Sequence, residues 1–241
     1  MKKSLSVIIP AYNEEERIKS AISHAIEAVK NIVEDYEIIV INDGSQDKTG
    51  KIIDELASKN KKIKAFHNKT NKGLGYTYFR GVKLSKLNYV ICVAGDDETD
   101  TSSFPKLMSN LGKKDMIIPY IINKEVRSKF RIFISEFYIH FLNLLFRMNL
   151  KCYTSCVILK RESVAQLENV SHGFNYSPEI LITLVKSGNS YEQVPITLGK
   201  RASGKSSLFK PSNIISIFFS LIFLIYKIYF TNMKKGEKNS R

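Results

Sequence analysis

Two aspartates stand side by side at the end of an apolar run, Tyr89-Val-Ile-Cys-Val-Ala-Gly-Asp-Asp-Glu98. Adjacent carboxylates repel one another and lose solvation, so Asp96 and Asp97 gain from a nearby cation. A hard divalent ion, Mg2+ or Mn2+, takes carboxylate oxygens and fills its other positions with water or substrate phosphates. The same residues also read as a solvated acidic turn. Cations suited to a phosphate ligand occur far downstream: Gly199-Lys-Arg-Ala-Ser-Gly-Lys-Ser206 sets Lys200, Arg201 and Lys205 among small residues, as a lid closing over phosphates would require. A third signal is Asn71-Lys-Gly-Leu-Gly75, a Gly-rich lead-in to a helix. Its bare N–H groups and positive dipole end suit an anion, although alone it is also an ordinary turn.

These groups need elements to hold them. The apolar residues before Gly95 read as a central strand broken at its carboxyl end, the edge where open α/β sheets bind ligands. Upstream, Ser6-Val-Ile-Ile-Pro10 suits a first parallel strand stopped by proline, with Asn13 and Glu16 patterned to cap the helix that follows. That helix shows Ile18, Ile22, Ile26 and Val29 at helical spacing. Glu37–Asn42 is a second strand ending in Asp43, and Asp47 is placed to cap the helix carrying Ile52, Ile53, Leu56 and Ala57. A third strand over Ile63–His67 and a helix to about Leu84 complete an alternation that predicts parallel βαβ units. The loops at 10–14, 42–47 and 95–98 then fall on one edge of one sheet.

Beyond Asp97 the pattern predicts strands at 116–122, 155–159 and 191–198, and a short helix at 178–186. A long helix over 126–150 carries Phe130, Phe133, Ile134, Phe137, Phe141, Leu144, Leu145 and Met148 beside Arg127, Arg131 and Arg147. Such a stripe reads first as core, and it is wide enough to lie partly against lipid or an acceptor chain. The 241 residues carry a net charge of +14, and from Lys200 onward nine Lys or Arg face the single acid Glu237. This basic end beside an apolar stretch favours anionic lipid headgroups or phosphates and disfavours nucleic acid. Ile214–Phe230, about 26 Å as a helix, is slightly short for a full span. It is expected to lie in or dip into one leaflet, anchored by Lys234, Lys235 and Lys238, with a short tilted span as the alternative. Cys92, Cys152 and Cys156 are too scattered for a disulfide framework, and reduced thiols are expected. The start lacks the apolar core of a signal peptide.

The motifs Val7-Ile-Ile-Pro-Ala-Tyr-Asn-Glu14, Val40-Ile-Asn-Asp-Gly-Ser45, Asn71–Gly75 with Gly81, and Gly95-Asp-Asp-Glu98 come in the order and spacing of family-2 glycosyltransferases, which the chain resembles. Gly173-Phe-Asn-Tyr-Ser-Pro-Glu179, Val194-Pro-Ile196 and Arg201-Ala-Ser-Gly-Lys-Ser206 resemble the dolichyl- or polyprenyl-phosphate sugar synthase branch. The resemblance covers roughly residues 4 to 208. It implies a GT-A fold, a Rossmann-like, mostly parallel α/β sheet flanked by helices, over 1–208, followed by a membrane-associated helix and basic tail over 209–241. By the same resemblance Pro10, Tyr12 and Glu14 line a nucleoside pocket, Asp43 contacts the base or ribose, and Gly73 and Gly75 lie on the donor side. Asp96 and Asp97 hold Mg2+ or Mn2+, Arg201 and Lys205 meet the phosphates, and Glu179 is the acidic residue near the acceptor. Where relatives carry the first aspartate of an Asp-x-Asp motif this chain has Ala94, and Cys152, Cys156 and Val157 depart from the acceptor-side pattern.

The implied activity is inverting transfer from a nucleotide-diphosphate sugar at the cytoplasmic face of the membrane. Asp97, Glu179 and Arg201 are the residues expected to carry it. A polyprenyl phosphate acceptor is already anionic and needs no base, whereas a glycan hydroxyl, as in cell-surface polysaccharide synthesis, would need Glu179 to take its proton. Membrane lipids and a membrane protein partner complete the expected contacts. A nucleotidyltransferase is disfavoured by the absence of a basic Gly-rich turn after the first strand. An inactive membrane-bound nucleotide-sugar-binding protein is the alternative that Ala94 and Cys152 raise.

Overall fold

In the computed structural model, which describes residues 3–97, 101–167, 173, 175–197 and 220–231, every side chain of the first strand is buried. This strand, β1 (Ser4–Ala11), lies between β2 (Asp35–Asn42) and β4 (Tyr89–Cys92) and is parallel to both. Side chains alternate across it, as a pleated strand requires. Leu5, Val7 and Ile9 enter one apolar core, packed by Ile18, Ile22, Ala25 and Val29 of α1 (Ile18–Val29). Ile8 enters the other, built with Tyr78 and Val82 of α3 (Leu74–Leu84) and with residues of the later helices. Two buried faces explain why β1 and β2 read as unbroken apolar runs rather than alternating ones.

The remaining strands are β3 (Ile63–His67), β5 (Met116–Ile121), β6 (Ile158–Lys160) and β7 (Tyr191–Ile196). The sheet order is β3-β2-β1-β4-β6-β5-β7. Only β6 runs against its neighbours, so the described sheet is mixed but mostly parallel, as expected from the alternation. The helices α2 (Thr49–Lys59), α4 (Phe104–Met108), α5 (Lys129–Phe146), α6 (Arg161–Ala165) and α7 (Tyr176–Lys186) complete the flanks. Among the described residues no helix is long and apolar enough to cross a membrane. Residues 220–226 are helical and continue into a π-helix over Lys227–Thr231, while 198–219, including the whole of the expected lid and the first part of the apolar stretch, lie outside the described residues.

Three local expectations are corrected. β1 does not stop at Pro10, which keeps its place in the β1–β2 register opposite Ile41 because the strand is ending there and a missing N–H costs little. Asn13 does not cap α1: the helix begins at Ile18 after a turn closed by Glu14 O, and Asn13 adopts φ 55° to reach a different loop. The stripe of α5 is core only in part, with Leu145 and Met148 packed against the second core. Leu142 and Phe146 are buried, whereas Phe130, Phe133, Phe137, Phe141 and Leu144 are exposed. The three cysteines are free, and burial pushes the Cys92 thiol up to about 12.

Candidate active site at the carboxyl edge of the sheet

Because β1, β2 and β4 are parallel, the loops that follow them share one edge, as their sequence positions predict. The first two are stitched together. Asn13 N donates to Ser45 Oγ at 2.9 Å and Asn13 Oδ1 accepts Gln46 N at 2.9 Å. Glu14 N donates to Thr49 Oγ1 at 2.8 Å, Glu15 N to Asp47 Oδ2 at 3.1 Å, and Lys48 N to Glu15 Oε2 at 2.9 Å. Burial works against the Asp47 carboxylate, but the Thr49 and Glu15 donors outweigh it and hold its pKa below the usual range. Asp47 Oδ1 also takes Thr49 N at 2.9 Å, so Asp47 serves the start of α2 as expected. These reciprocal bonds leave Tyr12 exposed just beyond the buried Pro10 and Ala11, with Glu14 half-buried beneath the turn.

Asp43 is 4% exposed and joins this rim to the Gly-rich segment. Its Oδ1 accepts Asn68 Nδ2 at 2.6 Å and Lys72 N at 2.9 Å, and its Oδ2 accepts Gly73 N at 2.9 Å. Gly73 precedes α3 with φ 89°, and Gly75 is buried in its first turn. The anion that meets these N–H groups is therefore the protein's own carboxylate, which is a correction to the expectation that Gly73 presents a bare donor. Gly44 makes the junction sterically possible. At φ 74°, its absent Cβ would lie 2.6 Å from Asn71 N, inside the backbone of the Gly-rich segment.

The acidic loop is anchored on the other side. Gly95 N donates to Pro10 O at 3.2 Å, and a Cβ there would meet that same oxygen at 2.9 Å. Asp96 follows, half-buried at the turn. Asp97, at φ 55°, turns toward α1: Oδ2 accepts Ser20 Oγ at 2.6 Å, and Oδ1 lies 2.8 Å from His24 Nδ1, which donates to it when Asp97 is ionised. The two adjacent carboxylates thus differ in place: α1 holds Asp97, and Asp96 lies at the turn on the sheet edge. Among the described residues no three His, Cys, Asp or Glu converge as a protein-made metal cage. A single edge carboxylate still fits Mg2+ or Mn2+, which are commonly held by one or two carboxylates plus substrate phosphates. It does not fit a metal that needs a full set of protein ligands.

Glu179 lies elsewhere. It sits in the first turn of α7, 1% exposed, with Lys227 Nζ of the C-terminal helix 3.8 Å from its Oε1. Its carboxylate is therefore buried beside the C-terminal helix, apart from the three edge loops. Arg201, Lys205 and Glu98 fall outside the described residues. Ser20, His24, Asn68 and Thr49 were not singled out from the sequence. Their partners lie 77, 73, 25 and 35 residues away, and only the Ser20–His24 spacing of one helical turn hints at a shared target.

Residues 6–167 match the model of the family described as Glycosyl transferase family 2. A dolichyl-phosphate beta-glucosyltransferase of Dictyostelium discoideum is 34% identical over 122 residues, covering 46% of this chain and 37% of that protein. An undecaprenyl-phosphate 4-deoxy-4-formamido-L-arabinose transferase of Proteus mirabilis is 28% identical over 106 residues, covering 44% of this chain and 32% of that protein. The chain thus spans well under half the length of these curated relatives. Among solved structures, glucosyl-3-phosphoglycerate synthase of Mycobacterium tuberculosis, in complex with Mn2+, uridine diphosphate and phosphoglyceric acid, superposes with a TM-score of 0.70. The match covers 92% of this chain and 78% of that one at 19% identity, a likeness of fold.

Proposed function

The chain belongs to glycosyl transferase family 2, and from that premise we propose that it transfers a sugar from a nucleotide-diphosphate donor to a membrane-borne polyprenyl phosphate at the cytoplasmic face of the membrane. The observation that carries this reading is the edge itself. Three loops from parallel strands meet there and Asp43 ties two of their segments together; on this reading Asp43 would order the nucleoside side and Asp96 would meet the donor diphosphate through the metal. The names of the two polyprenyl- and dolichyl-phosphate relatives support the acceptor class.

In the proposed reaction an acceptor phosphate oxygen forms a bond to the anomeric carbon from the face opposite the leaving group. The bond from that carbon to the nucleoside diphosphate breaks, the electron pair leaves with the diphosphate, and configuration inverts. The nucleophile is already an anion, so no proton needs a carboxylate to receive it, in keeping with the burial of Glu179. Mg2+ or Mn2+, held by Asp96 and the donor phosphates, would offset charge growing on the leaving diphosphate, an electrostatic term that often dominates such catalysis. Arg201 and Lys205 would meet the same charge from the lid. Asp97 would act through position, since Ser20 and His24 keep its oxygens on α1 and so fix the turn that carries Asp96. The basic carboxyl-terminal segment would hold the chain to anionic lipid.

The test incubates the protein with membranes and a panel of UDP- and GDP-sugars, with Mn2+ or EDTA, and follows label into the organic phase. Label in lipid only when metal is present supports the proposal and identifies the donor. Nucleotide release without labelled lipid would shift the acceptor to a saccharide, and no turnover with any donor would point to a binding-only protein.

A further inference from the structure

On α5 the side turned from the core carries Phe130, Phe133, Phe137, Phe141 and Leu144, each between 43 and 82% exposed. Their spacing of three and four residues keeps them in one row, about 21 Å long at the rise of an α-helix. The rings of Phe137 and Phe141 stack on each other at 6.4 Å. Isolated exposed apolar side chains are ordinary, but an unbroken row of five large ones marks a contact surface. The C-terminal helix packs beside α5. Tyr229 of the C-terminal helix stacks on Phe146 at 6.2 Å and donates its hydroxyl to Leu145 O at 2.6 Å. A cavity of about 420 Å3 between the two helices is lined by Phe141, Leu144, Leu145, Arg147 and Tyr229. On the outer side of the C-terminal helix Ile222, Phe223 and Tyr226 are also exposed.

Charge identifies what covers this face. From 124 to 151 the chain has Lys124, Arg127, Lys129, Arg131, Arg147 and Lys151 against Glu125 and Glu136. Lys129 and Arg147, both exposed, bracket the apolar row at its two ends, so that their stems can lie along it and their charges reach outward. A second copy packed antiparallel on the row would bring Lys129 of one chain toward Arg147 of the other, a like-charge contact that is costly in an interface. An anionic lipid surface instead meets cations at both ends and takes the rings between them at the headgroup and acyl boundary.

We propose that the Phe130–Leu144 face of α5 is a membrane-docking surface that inserts into the outer acyl region of an anionic leaflet, with the C-terminal helix beside it. The inference deepens the membrane-acceptor reading and rests on it for its purpose. The surface itself is defined by side chains outside the loops that would hold the donor. Docking through α5 lays that helix parallel to the bilayer, and the apolar cavity at its carboxyl end then opens toward lipid.

The chain contains no tryptophan, so a Phe137→Trp variant carries a single indole reporter. The full chain is mixed with vesicles of phosphatidylcholine with or without phosphatidylglycerol, the acyl chains brominated in one set, and no donor is added. The expected result is a blue shift of the indole emission and bromine quenching with the anionic vesicles. A Tyr36→Trp control, at the amino end of β2, shows neither. Phe133→Asp combined with Phe141→Asp lowers partition to anionic vesicles by roughly tenfold or more, while circular dichroism and nucleotide binding stay unchanged. Indole emission already blue-shifted without vesicles would mean that protein covers the row, and would overturn the proposal. So would vesicle binding that persists in the double variant without quenching, since the basic tail would then suffice. Vesicle insertion by a protein that turns over no donor would sink the activity and leave the docking surface standing; lipid-independent turnover without insertion would do the reverse.

Discussion

Replacing Asp43 by Asn tests whether this carboxylate organises the donor edge. Asp43 accepts three hydrogen bonds, from Asn68 Nδ2, Lys72 N and Gly73 N, and it does so beside the amino end of α3. Bonds to a charged acceptor contribute roughly 1.5–3 kcal/mol each. An asparagine oxygen can keep two of the three at best. Its NH2 then faces the remaining N–H donor, so one charge-assisted bond is lost outright and a donor–donor contact takes its place. Loss of the charge at the helix dipole adds about 0.5–1 kcal/mol. The sum is about 3 kcal/mol, which for a chain of this size lowers the melting temperature by roughly 6–12 °C.

Urea unfolding followed by circular dichroism measures the change, with an unaltered dependence on denaturant showing that the unfolded state is the same. Nucleotide binding falls as well, because the 42–47 and 71–73 segments share this carboxylate. An Asp43→Asn protein within about 0.5 kcal/mol of the parent would show that the three bonds carry no net weight and that Asp43 does not organise this edge.

The acid limb of stability provides a second check. Burial raises the Glu37 carboxyl, but bonds from Lys64 Nζ, Lys86 N and Ser6 Oγ outweigh it and place its pKa below the ordinary value. A group depressed in the folded state stabilises above its unfolded pKa and loses that contribution as pH falls through the folded one. The Ser190 hydroxyl and N–H hold Asp115 low with the same sign. Urea midpoints are therefore expected to be level above about pH 5 and to fall below about pH 4, and Glu37→Gln should flatten that fall while lowering the plateau. Ser20→Ala and His24→Ala each remove one bond from Asp97 and should weaken Mn2+-supported nucleotide binding a few-fold, read by calorimetry. Asp97→Asn should resemble these variants rather than Asp96→Asn; an equal loss in the two aspartate variants would return Asp97 to the metal.

What could be read in the chain was whatever repeats locally. The apolar runs of β1 and β2 and the spacing of Ile18, Ile22 and Val29 specify parallel strands under helices, and parallel strands put the loops at 10–14, 42–47 and 95–97 on one edge without further information. The side-chain partners inside that edge were not legible. Asn13 fits a helix-capping pattern, yet Ser45 and Gln46, more than thirty residues on, offer its donor and acceptor better partners. Two adjacent aspartates look equivalent until α1 brings Ser20 and His24 to one of them. Gly73 reads as a free anion site because nothing local shows that Asp43 will supply the anion. The stripe of α5 has helical periodicity whether it faces protein or lipid, so periodicity alone set the helix and left its environment open.

On the proposed reading this edge holds a nucleotide diphosphate through a divalent ion on Asp96. Isothermal titration of UDP and GDP into the protein with Mn2+, with EDTA, and into Asp96→Asn with Mn2+ tests it most directly. One nucleotide is expected to bind with Mn2+, and at least roughly tenfold more weakly both in EDTA and in the variant, a loss of about 1.4 kcal/mol or more. Equal affinity with and without the metal, or an Asp96→Asn protein that binds as the parent does, would contradict it.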